Sequence, residues 1–388
     1  MKNLNEIDFQ KIKNTLVRVD YNVPIGNDFI IQDYTRILRS KKTIEYLLSK
    51  NCKILLLTHL GRPDNRYEEA YSIEKIIDQI SKLLNQKINF ISYQEFNSNG
   101  LLKFHETEND ISILENIRFF KGEKKNDIHF SLTITNSFDL YINEAFSASH
   151  RSHASVDQMA RNILSCPGIN FFKELEVIDT IKQSSMKTLA IIGGSKVSTK
   201  IETLLSLVRS CSNLVIGGAM ANNFLKYKNI NISDSLIEEK VDDKIFNIID
   251  EAKNNNCQIH LPEDVILDST EEVQISNISV KNNFKIFDIG SQTISKIQKI
   301  IDESELVLWN GPLGIIENKK FSNGSTSIAI YLAKAKSKVI IGGGDTLLAL
   351  SIANQSFDKY FFVSTAGGAF LEALENKQLP GVNALVTQ

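Results

Sequence analysis

The sequence has no long apolar run and almost no excess of charge. Its 388 residues carry 44 Lys+Arg against 46 Asp+Glu, a formal net charge of −2. That balance argues against nucleic-acid or membrane-surface binding driven by bulk charge. No apolar stretch approaches the ~18 residues of a membrane helix, and the N-terminal MKNLNEIDFQ lacks the apolar core of a secretory signal. The four cysteines, Cys52, Cys166, Cys211 and Cys257, stand more than 40 residues apart. No CxxC or zinc-ribbon pattern arises from them, and they read as buried or idle thiols of a reducing compartment. The expected setting is soluble and cytoplasmic. Low-complexity segments and short tandem repeats are absent. So are GxxxxGK[ST], GxGxxG and GxSxG, which removes support for a P-loop, the usual dinucleotide fingerprint and a hydrolase elbow. His150 and His153 flank Arg151 without a cysteine or carboxylate pattern that would complete a metal site.

What is present is a recurring unit: a short apolar run, then special residues, then a helical pattern. The first half has Leu16–Val19, Ile54–Leu57, Ile111–Leu114 and Leu140–Ile142. The second half has Leu189–Ile192, Leu214–Ile216, Leu306–Trp309, Val339–Ile341 and Phe361–Val363. Such runs suit strands buried on both faces. Between them lie stripes at 3–4 spacing, such as Ile73, Ile76, Ile77, Ile80, Leu83 and Leu84 behind the cap Ser72, and Val197, Ile201, Leu204, Leu205 and Val208. Alternation of the two kinds predicts an α/β fold with parallel sheets and helical crossovers. At ~150 residues per domain the length suggests two or three domains, or two large ones. Pro167-Gly168, followed by a helical stretch with Phe171, Leu175 and Ile178, sets the expected boundary at residue 168.

In open α/β sheets ligands bind beyond the carboxyl ends of the strands. In the first half those ends carry Asp20-Tyr21-Asn22, His59-Leu60-Gly61-Arg62, Arg118 and Arg151, while Arg36 opens the first helix behind Asp33 as its expected cap. Guanidinium forks suit phosphate and carboxylate, so a small multi-anion is the expected ligand, with Asp20 and Asn22 adding hydroxyl contacts. The bland alternative is a set of surface salt bridges. In the second half the strands end in glycine: Gly193-Gly194, Gly217-Gly218, Gly311, Gly314, Gly342-Gly343-Gly344 and Gly367-Gly368. Glycine lets backbone N–H groups approach phosphates at a helix start. Lys196 and Lys200, four apart, are expected on one face of a helix near its positive end. Asp345 and Thr346 open another helix, as Mg²⁺ and phosphate ligands or as a plain cap. An anion site in one half and a nucleotide site in the other point to phosphoryl transfer. No carboxylate stands out as a base, and a carboxylate acceptor, already ionised, needs none.

At this point the residues resemble the phosphoglycerate kinase family over essentially the whole chain. The matching stretches, in family order, are LVRVDYNVP (16–24), LLTHLGRP (56–63), LENIRFFKGE (114–123), YINEAFSASHRSHAS (141–155), AIIGGSKVSTKI (190–201), VIGGAMANNFL (215–225), LWNGPLGIIE (308–317), IIGGGDT (340–346) and VSTAGGAFLEALENKQLPGVNAL (363–385). The resemblance implies two Rossmann-like, doubly wound parallel-sheet domains joined by a bending helical hinge. The C-terminal segment would return to the N-terminal domain, giving 1–168 plus 372–388 for phosphoglycerate and 169–371 for nucleotide. It implies Mg²⁺-dependent, reversible transfer between ATP and 3-phosphoglycerate, or ADP and 1,3-bisphosphoglycerate, by a glycolytic monomer whose domains close over the substrates. Asp20, Tyr21, Asn22, Arg36, His59, Leu60, Gly61, Arg62, Arg118 and Arg151 would serve the acid substrate. Lys196, Lys200, Asn310, Glu317 (on the ribose), Gly343, Gly344, Asp345 and Thr346 would serve the nucleotide, with Asp345 toward the metal. Gly367 and Gly368 would face the transferred phosphate, and Arg36 and Lys196 would be catalytic. Three positions depart from the commonest family spelling: Glu144 for Asp, Thr199 for Asp between the lysines, and Ala366 for the first of three glycines. The competing readings are a catalytically inactive two-lobed binder of nucleotide and anion, against which intact Arg36, Lys196 and Asp345 argue, and a nicotinamide dehydrogenase, against which the missing GxGxxG argues.

Overall fold

The apolar runs become strands in the computed structural model, which describes residues 1–183, 185–375 and 377–386. In chain order the strands are β1 Asn14–Arg18, β2 Lys53–Leu57, β3 Ile88–Ile91, β4 Ile111–Leu114, β5 Leu140–Asn143, β6 Ser165–Pro167, β7 Thr188–Ile192, β8 Asn213–Ile216, β9 Gln258–His260, β10 Asp264–Leu267, β11 Glu272–Gln274, β12 Ile286–Ile289, β13 Leu306–Asn310, β14 Lys338–Gly342 and β15 Phe362–Val363. They form one six-stranded parallel sheet in the order β3-β4-β2-β1-β5-β6 and another in the order β15-β14-β13-β7-β8-β9. Both are doubly wound α/β sheets, as expected. A three-stranded antiparallel sheet, β11-β10-β12, is an addition that the apolar runs did not announce.

The chain divides into two compact units, Met1–Glu176 with Gln378–Gln388, and Val177–Lys377. The division falls inside the helix Ile169–Lys182 rather than ahead of it at residue 168. The C-terminal return begins at Gln378 rather than near residue 372. The helix Gly368–Leu374 stays with the second unit, where Ser206 Oγ donates to the Leu374 carbonyl at 2.6 Å and the Thr203 hydroxyl to Glu375. The last helix, Pro380–Val386, joins the first unit, where the Gly381 N–H donates to the Ser149 carbonyl at 3.0 Å.

Burial rather than capping holds the first long helix. Thr35–Ser49 has no side-chain cap bond at its first residue, although Asp33, one position earlier than a cap, accepts the Thr35 N–H at 2.8 Å. Its apolar face is Ile37, Ile44 and Leu47, all essentially fully buried. Each such side chain contributes about 1.5–3 kcal/mol on burial, whereas a cap is worth only ~1 kcal/mol. The core of the second unit centres on β13, buried along its length, whose Trp309 donates its indole N–H to the Gly311 carbonyl at 2.9 Å. Glu144 follows β5 and reaches the start of Ile169–Lys182, accepting hydrogen bonds from the N–H groups of Asn170 (3.1 Å) and Phe171 (3.2 Å) and from the Thr43 hydroxyl (3.0 Å). Burial pushes its carboxyl up to about 8.

Candidate functional site

In the first unit the carboxyl ends of β1, β2, β4 and β5 lie side by side, because β1 pairs with both β2 and β5, and β2 with β4. The residues that follow these strands make one cationic surface. Arg36 Nη1 donates to Asp20 Oδ2 at 2.8 Å and to the Asn22 carbonyl at 3.2 Å, and the Ser147 hydroxyl also donates to Asp20. Asn22 Oδ1 accepts the Gly61 N–H at 2.8 Å, which ties the β1 end to the β2 end. Gly61 has φ 63°, and a Cβ there would lie 2.3 Å from the Tyr71 ring, so only glycine fits this turn.

Arg118 is the most confined cation of the expected set. Its Nη1 donates to the Gly61 carbonyl at 2.7 Å, while Nε is buried without a partner. Burial first, then Arg151 and Arg18, pushes its guanidinium down to about 10. An arginine so placed favours an anion arriving from outside. Arg62 is exposed and has no ion-pair partner among the described residues. Arg151 donates through Nε to His150 Nε2 at 3.0 Å.

Two expected ligand groups turn out to be supports. Tyr21 is fully buried; its phenol sits 2.9 Å from Ser40 Oγ and its N–H donates to Thr58 Oγ1. Desolvation raises its pKa far above the ordinary range, so it contributes packing rather than a site hydroxyl. Leu60 is 3% exposed and offers its carbonyl to Asn116 Nδ2 at 2.7 Å. Conversely, sequence reasoning gave no role to Arg18, the only charged residue within its apolar run. Its side chain is 1% exposed, and Nη2 lies 3.0 Å from His59 Nδ1. Burial, then Arg18, Arg118, Arg151 and Arg36, holds His59 well below the usual histidine range. Burial first, then Arg118, Arg18, Arg151 and Lys124, brings His153 down to about 4, so its 3.7 Å approach to Glu123 Oε1 joins a neutral ring to a buried carboxyl and is not an ion pair.

The second unit builds its site mainly from backbone. β7, β13 and β14 are neighbours, and their ends turn through Gly194 (φ 117°), Gly311 (φ 92°) and Gly343 (φ 95°). A Cβ on Gly193 would lie 2.0 Å from the Pro312 carbonyl oxygen, so the two strand ends touch backbone to backbone. The expectation that Lys196 and Lys200 share a helix face is corrected here: the helix is Ile201–Ser210, and both lysines lie in the turn before it. Val197 is buried like the helical stripe behind it, which extended the periodic pattern through a turn. Lys196 is exposed. Lys200 folds back, and its Nζ donates to the Gly193 carbonyl at 2.7 Å and to Asn310 Oδ1 at 2.8 Å. Asn310 Nδ2 donates in turn to the Gly342 carbonyl at 2.9 Å. Desolvation lowers Lys200 to about 8, against the opposing pull of Asp345.

A cavity of about 360 Å³ gathers Lys196, Lys200, Asn310, Asp345, Thr346 and Gly367 with the glycine turns, Gly344 and Gly368 included. Thr346 is buried and its hydroxyl accepts the Gly311 N–H at 2.6 Å, which makes it a brace for the turn. A second cavity of about 280 Å³ shares Gly194 and Asp345 with the first and is walled by Leu236, Phe287, Leu313 and Glu317. Glu317 and Asp345 are exposed at its rim. The apolar walls were not anticipated, since Leu236 and Phe287 lie outside every glycine-ended run.

A cationic surface in one unit and a glycine-lined cavity beside an apolar-walled one in the other agree with the comparisons. The family model described as Phosphoglycerate kinase matches residues 4–377. The chain belongs to the phosphoglycerate kinase family. Relatives named Phosphoglycerate kinase include that of Wolbachia sp. subsp. Drosophila simulans (strain wRi), 41% identical over 382 residues and 96% of each chain. That of Wolbachia pipientis wMel is 40% identical over 384 residues, again 96% of each. The solved phosphoglycerate kinase from Coxiella burnetii superposes with TM-score 0.88 at 33% identity, covering 99% of this chain and 98% of that one. The one from Pyrococcus horikoshii OT3 gives 0.82 at 26%, covering 100% and 98%.

Two of the departures from the phosphoglycerate kinase spelling prove locally unstrained. Ala366 is not among the positive-φ residues; its N–H donates to Ser364 Oγ at 3.1 Å, and the positive φ of the turn falls on Gly367. Thr199 donates its hydroxyl to the Lys196 carbonyl at 3.1 Å and so stays within the lysine turn.

Proposed function

We propose that this chain is a working phosphoglycerate kinase, moving the γ-phosphoryl group of ATP reversibly to the carboxylate of 3-phosphoglycerate. The products are 1,3-bisphosphoglycerate and ADP. The observation that carries the reading is the cation cluster of the first unit. Among its described residues Arg118 is buried with Nε unpaired, and of Arg18, Arg36, Arg62, Arg118 and Arg151 only Arg36 has a carboxylate within ion-pair distance. Such a cluster is stabilised by a ligand with more than one negative charge.

In this reading Asp20, Asn22, His59, Arg62, Arg118 and Arg151 hold the acid substrate. Lys200, positioned by Asn310, and the N–H groups opening the helix Gly344–Ile352 hold the nucleotide phosphates. The base fills the apolar 280 Å³ cavity, with Glu317 on the ribose. The acceptor carboxylate oxygen attacks the γ-phosphorus, the bond to the β–γ bridging oxygen breaks, and ADP leaves with the electron pair. No proton is removed, so no base is needed. Arg36 and Lys196 offset charge on the group in flight, assisted by the turn at Gly367 and Gly368.

Asp345 fits a Mg²⁺ ion that arrives with the nucleotide. It is exposed at the first turn of its helix and lines the phosphate cavity, and no cluster of three or more His, Cys, Asp or Glu exists among the described residues to form an all-protein cage. Mg²⁺ characteristically takes one or two carboxylates, substrate phosphates and water; when bound it supplies charge neutralisation on the phosphates. No described helix is long and apolar enough to cross a membrane. A cytoplasmic, monomeric, glycolytic enzyme follows from the family resemblance. The test is ATP-dependent phosphorylation of 3-phosphoglycerate with and without Mg²⁺. Turnover that depends on the metal and on Lys196 supports the reading, and a folded protein without turnover refutes it.

A further inference from the structure

The chemistry of a guanidinium decides the protonation of one ring in the cation cluster. Arginine has five N–H donors and no acceptor. Arg18 Nη2 lies 3.0 Å from His59 Nδ1, so that nitrogen presents its lone pair. A neutral imidazole whose Nδ1 accepts carries its proton on Nε2. Arg18 is not free to turn away. Its Nε donates to Ser155 Oγ at 2.9 Å, and its Nη1 donates to the Val19 carbonyl. Ser155 is anchored in turn by Glu123, donating its hydroxyl to Oε1 at 2.7 Å and its N–H to Oε2 at 2.8 Å. Glu123 and Ser155 are fully buried.

We propose that Glu123, Ser155 and Arg18 form a buried positioning chain that fixes His59 as the neutral Nε2–H tautomer, a hydrogen-bond donor toward the anionic ligand of the cluster. Among the described residues Nε2 makes no hydrogen bond, and it is not one of the atoms buried without a partner, so it is open to a ligand. Four arginines around the ring favour its neutral form. Arg36 faces it from the first helix, Arg118 from the turn after β4, Arg151 from the segment after β5, and Arg18 from β1; burial acts the same way. The ring therefore stays neutral as the pH falls through the ordinary histidine value of about 6.5. In the substrate site His59 gives a directed N–H without adding a charge that titrates. The ligand's identity rests on the functional reading above; the tautomer does not.

The test is a long-range ¹H–¹⁵N correlation spectrum of the whole ¹⁵N-labelled chain, with the His59 signals assigned by their loss in His59→Gln. The expected result is a protonated, pyrrole-type Nε2 and a bare, pyridine-type Nδ1, unchanged from pH 8 to pH 5. A protonated Nδ1, or a ring that becomes doubly protonated near pH 6, overturns the proposal. Arg18→Lys keeps a partner with donors only and should keep the Nε2–H signature. Arg18→Gln offers both donor and acceptor and should mix the tautomers. An Arg18→Gln spectrum identical to wild type removes Arg18 from the role, and a merely structural effect would move both variants alike. The wild-type spectrum decides even if a variant fails to fold. Transfer activity on the same sample separates the two claims: the stated tautomer without turnover supports this inference and overturns the functional reading.

Discussion

The two units build their proposed anion sites in opposite ways. The first uses side chains: His59, Arg62, Arg118 and Arg151 follow the ends of β2, β4 and β5, and Arg36 joins them from the first turn of the helix Thr35–Ser49. The second uses main chain: glycine turns at Gly194, Gly311 and Gly343 bring backbone against backbone, and Lys200 is threaded between the Gly193 carbonyl and Asn310. The difference is one of tolerance. A projecting side chain can be removed without disturbing the sheet, whereas a backbone site is the fold itself.

The sharpest way to break the comparison is to remove the two cations assigned to the moving phosphoryl group, one from each unit. Arg36→Ala and Lys196→Ala should each lower kcat by at least ~100-fold, the scale of losing a single oriented stabilising group, with circular dichroism unchanged. Near-normal kcat in either would remove that residue from the chemistry. The contrast in tolerance comes next. Gly193→Ala places a methyl 2.0 Å from the Pro312 carbonyl oxygen, so melting should show a loss of ~2 kcal/mol or more. Arg62→Ala, which removes an exposed group, should leave melting unchanged and raise the KM for 3-phosphoglycerate ~10-fold, the scale of one charged hydrogen bond. A raised KM for ATP in Arg62→Ala would contradict the division of labour between units.

Protonation sharpens the same contrast. Lys200, lowered to about 8 mainly by desolvation, loses its charge as the pH rises through that value. The kcat/KM for ATP should therefore fall as pH rises above about 8, and Lys200→Met should abolish that limb. The kcat/KM for 3-phosphoglycerate should show no histidine limb near pH 6, because burial and four arginines keep His59 neutral. The smallest effect belongs to Ala366→Gly: the position has no left-handed backbone to relieve, so stability should fall by less than ~1 kcal/mol, with both KM values unchanged.

Much of this was legible in the residues because continuous apolar runs mark strands buried on both faces. Ile111–Leu114 has the same bounds in sequence and structure. Within the two parallel sheets, the strands that escaped notice, Ile88–Ile91, Ser165–Pro167 and Gln258–His260, all lie at sheet edges. Ile88–Ile91 is half-exposed, Ser165–Pro167 carries a proline, and Gln258–His260 is three residues long with an exposed first residue. None of these displays the apolar signature that a central strand must have. At the site, residue type told which groups are cationic but not which way they face. Tyr21 and Arg18 lie three apart on one segment, and the phenol went to the core while the guanidinium went to His59. Their roles depend on partners far away in sequence, Ser40, Ser155 and Glu123, which no local pattern names.

The measurement that bears most directly on the central claim is phosphoryl transfer from ATP to 3-phosphoglycerate, coupled to NADH oxidation by the next dehydrogenase, with and without Mg²⁺, in wild type and Lys196→Ala. Mg²⁺-dependent turnover in wild type, lost in the variant, is the predicted result. A folded wild-type chain that binds both substrates and transfers nothing would contradict the account.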